Sequence, residues 1–229
     1  MALIHQATMH PSKNELLEGW APAQPWFAGD AGEAGIRFTS VASYRFDDPD
    51  GEVGIETLLV RAGAGPVLQV PVTYRDAPLE AADAFLIGTT EHSVLGTRWV
   101  YDGIGDPVYL AAAATVVLGG GRQADQYVDV DGTLVFRESS AEVTGSGTPT
   151  TVIPDLSTLV VPPATAIHHG PTETVVDAAP LAFTLIRHPT GNRSDTSPGR
   201  REFLTGTYGD QAQPQVLLVV VIAQLHSAK

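Results

Sequence analysis

Glu91-His92-Ser93-Val94-Leu95-Gly96-Thr97-Arg98-Trp99-Val100-Tyr101-Asp102, followed at once by Gly103-Ile104-Gly105-Asp106-Pro107 and the run Val108 to Gly119, decides how this chain folds. The first half concentrates polar side chains, aromatic rings and glycine turns; the second half opens a helix. Asp106 carries the short acceptor side chain that caps free amides, and Pro107 suits the first helical position. Ala111 to Ala114 are the strongest helix formers, and Gly119 can take the left-handed exit. The helix is apolar nearly all round, so it belongs against a sheet rather than on the surface. The stretch therefore reads as a junction that delivers an extended segment into one long buried helix.

Upstream, the β signal is sustained from Ile36: Val41 to Phe46, a turn at Asp48-Pro49-Asp50-Gly51, Val53 to Arg61, a glycine-rich turn at Gly63-Ala64-Gly65, and Val67 to Tyr74. In the last run Leu68, Val70, Val72 and Tyr74 alternate with Val67, Gln69, Pro71 and Thr73, the period of a half-buried strand, and Pro71 points to an edge or a bulge. Short turns between such runs favour an antiparallel meander, and no βαβ alternation argues for a parallel sheet. Downstream, Tyr127 to Val130 and Leu134 to Arg137 flank Asp131-Gly132 as a hairpin, and Gly145 to Thr151 is a polar loop with no means of burying itself. Val175-Val176, Leu181 to Arg187, Glu202 to Tyr208 and Val216 to Leu225 read as further strands; the last is apolar on both faces and belongs in mid-sheet. The class is α+β, an antiparallel sheet packed on one long helix and extended by further antiparallel strands. The organisation is residues 1–35 as an N-terminal segment, 36–121 as the α+β region and 122–229 as a β-rich continuation of the same compact unit, with a seam near Gly119-Gly120-Gly121.

Met1 to Thr8 reads as a strand, and Ser12-Lys13-Asn14-Glu15 has capping-box spacing for a short helix to about Glu18, stopped by Gly19. Trp20 to Phe27, broken by Pro22 and Pro25, reads as extended. Its three large rings fit packing onto the sheet first and a sugar-stacking platform second.

The 229 residues carry a formal charge of −13, which opposes polyanions and makes nucleic acid and anionic membrane poor partners. The absence of cysteine excludes disulfides, thiolate catalysis and Cys-ligated metal, and fits a reducing cytoplasm. Met1 to Gln6 lacks the basic and apolar regions of a secretory signal, and the run Val216 to Ala223 is far short of the roughly 20 residues of a membrane span. A soluble cytoplasmic protein is expected.

Candidate chemistry centres on Glu91, His92, Arg98, Trp99 and Asp102, a binding surface at the junction. A Ser93-His92-Asp102 set lacks the nucleophile elbow, and Glu91 with Asp102 could form a glycosidase-like carboxylate pair. The structural alternative has Glu91 and Asp102 pairing with Arg98 or capping turns. The seven histidines show no metal-binding spacing, and His168 and His169 would point to opposite faces of a strand. Gly119-Gly120-Gly121-Arg122 follows a helix instead of opening one, so it lacks convergent amides for phosphate. Arg187, Arg193, Arg200 and Arg201 gather around the loop 190–199, a solvated loop or an anion contact. No catalytic residue, cofactor or metal is expected.

Trp99 to Pro107 leading into the alanine-rich helix, preceded by the strands Val53 to Arg61 and Val67 to Tyr74, resembles the N-terminal cap domain of actinobacterial maltokinases over roughly residues 36 to 120. The wider chain, with Pro11-Ser12-Lys13, Gly51 to Thr57, His92 to Gly96 and Leu204 to Thr207, is similar to stand-alone cap-like proteins. The resemblance implies a curved, cystatin-like antiparallel sheet with a helix. In maltokinases nucleotide binding and phosphoryl transfer belong to a separate kinase portion, whose catalytic-loop and magnesium-binding motifs are not found here. The implied function is a non-catalytic accessory protein that binds a protein partner or a saccharide in trehalose, maltose or glycogen metabolism. The alternatives are a small carbohydrate-active enzyme using Glu91, His92 and Asp102, and a structural homodimer joined through sheet edges.

Overall fold

The computed structural model describes residues 2–4, 7–29, 35–130, 132–190, 200–211 and 213–222. In chain order the elements are β1 (Ala2–Ile4), β2 (Met9–His10), α1 (Lys13–Trp20), β3 (Phe38–Phe46), β4 (Gly54–Ala62), β5 (Val67–Arg75), β6 (Leu86–His92), β7 (Gly96–Asp102) and α2 (Pro107–Gly119). There follow β8 (Gln126–Val130), β9 (Thr133–Arg137), β10 (Ala141–Gly145), β11 (His168–His169), β12 (Glu173–Ala178), β13 (Leu181–Ile186), β14 (Arg200–Tyr208) and β15 (Gln215–Ile222). They form two six-stranded antiparallel sheets, ordered β2-β6-β7-β5-β4-β3 and β10-β14-β15-β13-β12-β11, and a three-stranded sheet β1-β8-β9. The α+β class and its antiparallel sheets are as the sequence implies. Only β1 departs, lying parallel to β8.

The first sheet is buried on both faces because the side chains of each strand alternate. From β4, Leu58, Val60 and Ala62 join Leu16, Leu17 and Trp26 in one core, while Ile55 and Leu59 join α2 and the second sheet in the other. In β3 a register shift between Ser40 and Ala42 inserts one residue. Phe38 and Tyr44, both at even positions, consequently enter opposite cores. A one-residue slip reverses the facing of everything beyond it, which is how one strand serves two layers.

The larger core draws on both six-stranded sheets through Ile55, Tyr101, Phe183 and Leu218, and Leu110, Ala113 and Val117 of α2 belong to the same cluster. Asp106 caps α2, accepting from Val108 N–H at 2.9 Å, with Pro107 in the first turn. The left-handed exit falls at Gly120 (φ 70°), one residue after the expected Gly119. The 145–151 loop is exposed at Ser146 and from Thr148 to Thr150, as its polar sequence implies, but its backbone is tied to the helix: Gly147 and Thr148 donate to the carbonyls of Val117 and Leu118 at 2.9 and 3.1 Å. The loop thereby satisfies carbonyls that the end of α2 leaves without intrahelical partners.

Three other expectations change. The helix α1 has its complete Ser12/Glu15 capping box but runs through Gly19 to Trp20, and Ala21–Ala23 continue it as a turn of 3-10 helix. Pro22 is accommodated because the first turn needs no amide donor there. Pro71 lies inside the sheet, since β5 has β4 on one side and β7 on the other. Its missing amide is tolerated because the β5–β7 ladder begins only at Val72. The quoted stretch is a hairpin, β6 and β7 joined by Ser93 to Leu95, with Gly96 at φ 73°. β15 lies in mid-sheet between β14 and β13, as its two apolar faces require.

Candidate functional site

A groove of about 620 Å³ opens where the start of α1 meets the ends of β3, β4, β5 and β7. Lys13, Arg45, Tyr74, His92 and Arg98 line it, together with Asp47, Asp48 and Glu52 of the β3–β4 turn. Its rim is organised by Glu56, a residue only 3% exposed. One oxygen of that carboxylate, Oε2, receives Lys13 Nζ at 2.5 Å, Arg45 Nη2 at 2.9 Å and the Tyr74 hydroxyl at 3.1 Å. Burial pushes the Glu56 carboxyl up, but the Arg45 and Lys13 charges outweigh it and hold it below its ordinary value. The opposite happens to Tyr74, whose phenol burial and the Glu56 charge push well up. Asp48 closes the β3–β4 turn by accepting from the backbone amides of Asp50, Glu52 and Val53 at 3.2, 3.0 and 2.8 Å.

Of the residues singled out in the sequence, His92 and Arg98 line this groove, and Glu91, Trp99 and Asp102 do not. His92 Nδ1 accepts from the amides of Val94 and Leu95 at 3.3 and 3.1 Å, so the ring ties the hairpin turn together. Arg98 is half-buried and has no ion pair within the chain among the described residues. Glu91 is exposed and accepts from the Thr97 hydroxyl at 2.8 Å. Trp99 packs against the larger core. Asp102 stands five residues along β7 from Thr97, the partner of Glu91, or about 16 Å at the rise of a strand. Glu91, His92 and Asp102 are therefore not brought to one point.

Asp102 belongs to a different constellation. Its Oδ2 receives Arg187 Nη2 at 2.5 Å, and its Oδ1 accepts from the Ile104 amide at 3.5 Å, capping the turn that follows β7. Arg187 is wholly buried; its Nε donates to Thr174 Oγ1 at 3.0 Å and its guanidinium lies 4.4 Å from the Trp26 ring centroid. His169 Nδ1 shares that Thr174 hydroxyl at 3.1 Å, and its pKa is lowered, chiefly by burial and then by the Arg187 charge. Trp26 is fully buried, with its carbonyl 2.7 Å from His188 Nε2, so this ring packs and is not a platform for a sugar. Arg187 accordingly leaves the arginine group around 190–199. Arg193 lies outside the described residues, and Arg200 pairs with Glu202 at 3.3 Å.

Sequence reasoning missed Lys13, Arg45, Glu56 and Tyr74 as a group. Arg45 and Glu56 are cross-strand partners in the β3–β4 hairpin, a register signal that could have joined those two; Lys13 and Tyr74 arrive only through packing. Among the described residues no cluster of three or more His, Asp or Glu side chains is placed to hold a metal ion. None of the described helices is long and apolar enough to cross a membrane.

These features define an α+β protein with a polar groove at the end of a two-faced antiparallel sheet. Residues 20–106 match the family described as the maltokinase N-terminal cap domain, about two fifths of the chain. The matched span begins at the end of α1, takes in β3 to β7 and stops at the cap of α2, leaving the second sheet outside it. This region is thus cap-like, as the sequence resemblance implies, with earlier bounds at both ends. No curated protein matches the chain.

Proposed function

We propose that the protein is a non-catalytic, cap-like accessory protein of α-glucan or trehalose metabolism in the cytoplasm, and that the groove bearing His92 and Arg98 takes a saccharide. The observation that carries this reading is the Arg98 guanidinium, without an ion pair among the described residues, lining one groove on the cap-like region together with the Asp47, Asp48 and Glu52 carboxylates and the Tyr74 ring. Hydroxyl-rich ligands need planar donors and acceptors in just such mixed sets, with an apolar floor to cover. A carbohydrate-active enzyme built on Glu91, His92 and Asp102 finds no support in these positions, because Asp102 is buried against Arg187.

Titration with maltose, trehalose and short α-glucans tests the reading. Saturable stabilisation is expected, about 2.7 kcal/mol at a hundredfold excess over Kd, and it should vanish in Arg98→Ala. A flat melting temperature with all three sugars, together with recovery of no partner from native lysate, would sink it.

A further inference from the structure

β9 is exposed along its whole length, with Leu134, Val135 and Phe136 at 48%, 47% and 54%. It terminates the three-stranded sheet, and among the described residues no strand pairs with its outer edge. Pairing with β8 sets Phe136 against Tyr127, ring centroids 5.7 Å apart, and Val135 against Val128. Apolar side chains therefore stand on both faces of the ribbon. Natural sheets ordinarily blunt such an edge with charge, proline or a bulge, and β9 has only Arg137 at its end.

Charge indicates what pairs there. From residue 125 to 138 the sequence holds Asp125, Asp129, Asp131 and Glu138 against one base, Arg137. Asp125 is neutralised by Arg122 at 2.9 Å, and Asp129 holds the turn through the Gly132 amide at 2.7 Å. Asp129 and Glu138 are exposed at the two ends of the apolar strip. A second copy would bring the same acids together, on chains of −13 each.

We propose that the outer edge of β9 docks an extended segment of a partner protein, apolar in alternation and basic at both ends, as a fourth strand of the β1-β8-β9 sheet. Main-chain hydrogen bonds supply affinity, Leu134, Val135 and Phe136 cover the alternate apolar side chains, and the flanking acids set orientation and on-rate. The surface is separate from the groove, so it does not depend on a saccharide binding there.

The test uses the full chain and a labelled probe peptide, acetyl-Lys-Lys-Val-Thr-Val-Thr-Val-Lys-Lys-amide, beside its counterpart with Glu for every Lys. Anisotropy should show the lysine peptide binding at least tenfold more tightly than the glutamate peptide, with hydrogen exchange slowed in residues 133–137. Leu134→Ser with Phe136→Ser should weaken it at least tenfold without changing the melting temperature, Glu138→Lys should narrow the preference between peptides, and Arg98→Ala, in the separate groove, should leave the affinity for the lysine peptide as it is. Equal binding of both peptides, or binding without protection of β9, overturns the proposal. So does a dimer in light scattering that the double serine variant abolishes, because the edge would then pair with a second copy.

Discussion

Arg187 and Asp102, 85 positions apart in the chain, form an ion pair whose side chains are 0% and 3% exposed. It joins the end of β13 to the end of β7, so it couples the second sheet to the cap-like region. A buried pair is not a net gain over apolar residues of the same volume, yet removing one partner leaves the other charge stranded. Arg187→Met alone should destabilise by about 3–5 kcal/mol, and Arg187→Met with Asp102→Leu should recover much of that in urea unfolding. Equal losses in the single and double variants would show that the charges are not coupled.

Gln69 is the second tie between the sheets. Its Nε2 donates to the carbonyls of Ile186 and Leu217 at 2.9 and 2.8 Å, and its Oε1 accepts from the Tyr44 hydroxyl at 3.1 Å. Gln69→Leu keeps the volume but leaves these groups buried without a partner, at about 1–3 kcal/mol each when unrelieved. A loss of at least about 2 kcal/mol in the unfolding free energy is expected. A loss within about 0.5 kcal/mol, the range of surface substitutions, would refute the role.

Glu56 makes stability depend on acidity. Burial raises its carboxyl, the neighbouring Arg45 and Lys13 charges together lower it by more, and the folded value lies below the unfolded one. The folded state therefore binds the Glu56 proton less readily, so this contribution is complete above the unfolded pKa of about 4.3 and is lost as pH falls through the folded value. Between pH 6 and 3 the urea midpoint of the natural chain should fall more steeply than that of Glu56→Gln. Parallel curves would exclude Glu56 as a source of the pH dependence.

Gly147 sits so close to the end of α2 that an added Cβ would come within 2.0 Å of the Leu118 carbonyl oxygen. Relieving that contact means moving backbone, not a flexible side chain. Gly147→Ala should cost about 2–3 kcal/mol and lower Tm by roughly 5–10 °C by calorimetry. Gly19→Ala, where a Cβ meets nothing within 4 Å, is the matched control and should be neutral or stabilising.

Several elements were readable wherever a short-range rule applies. The Ser12/Glu15 capping box, the Asp106-Pro107 start of α2, the β8–β9 hairpin and the central place of β15 all follow from spacing and apolar pattern within a few residues. The errors fell where local rules met a neighbour. Pro71 looked like an edge residue because nothing in its strand reveals that the adjoining ladder begins one residue later. The 145–151 loop is solvated as expected, but its backbone tie was not readable because the partners, the last carbonyls of α2, are about thirty positions away.

The candidate site divides in the same way. That His92, Arg98 and Asp102 are polar groups on strand-forming sequence beside a helix start was plain from their order in the chain. Which of them faces the groove was not, because facing depends on register, and one inserted residue reverses it. The sequence by itself determined the local elements, the charge and the cap-like character of residues 20–106. Only the tertiary structure decided that Arg98 opens onto the groove while Asp102 is withdrawn to Arg187, since a buried charge goes to the partner that packing brings within reach, however far away it stands in sequence.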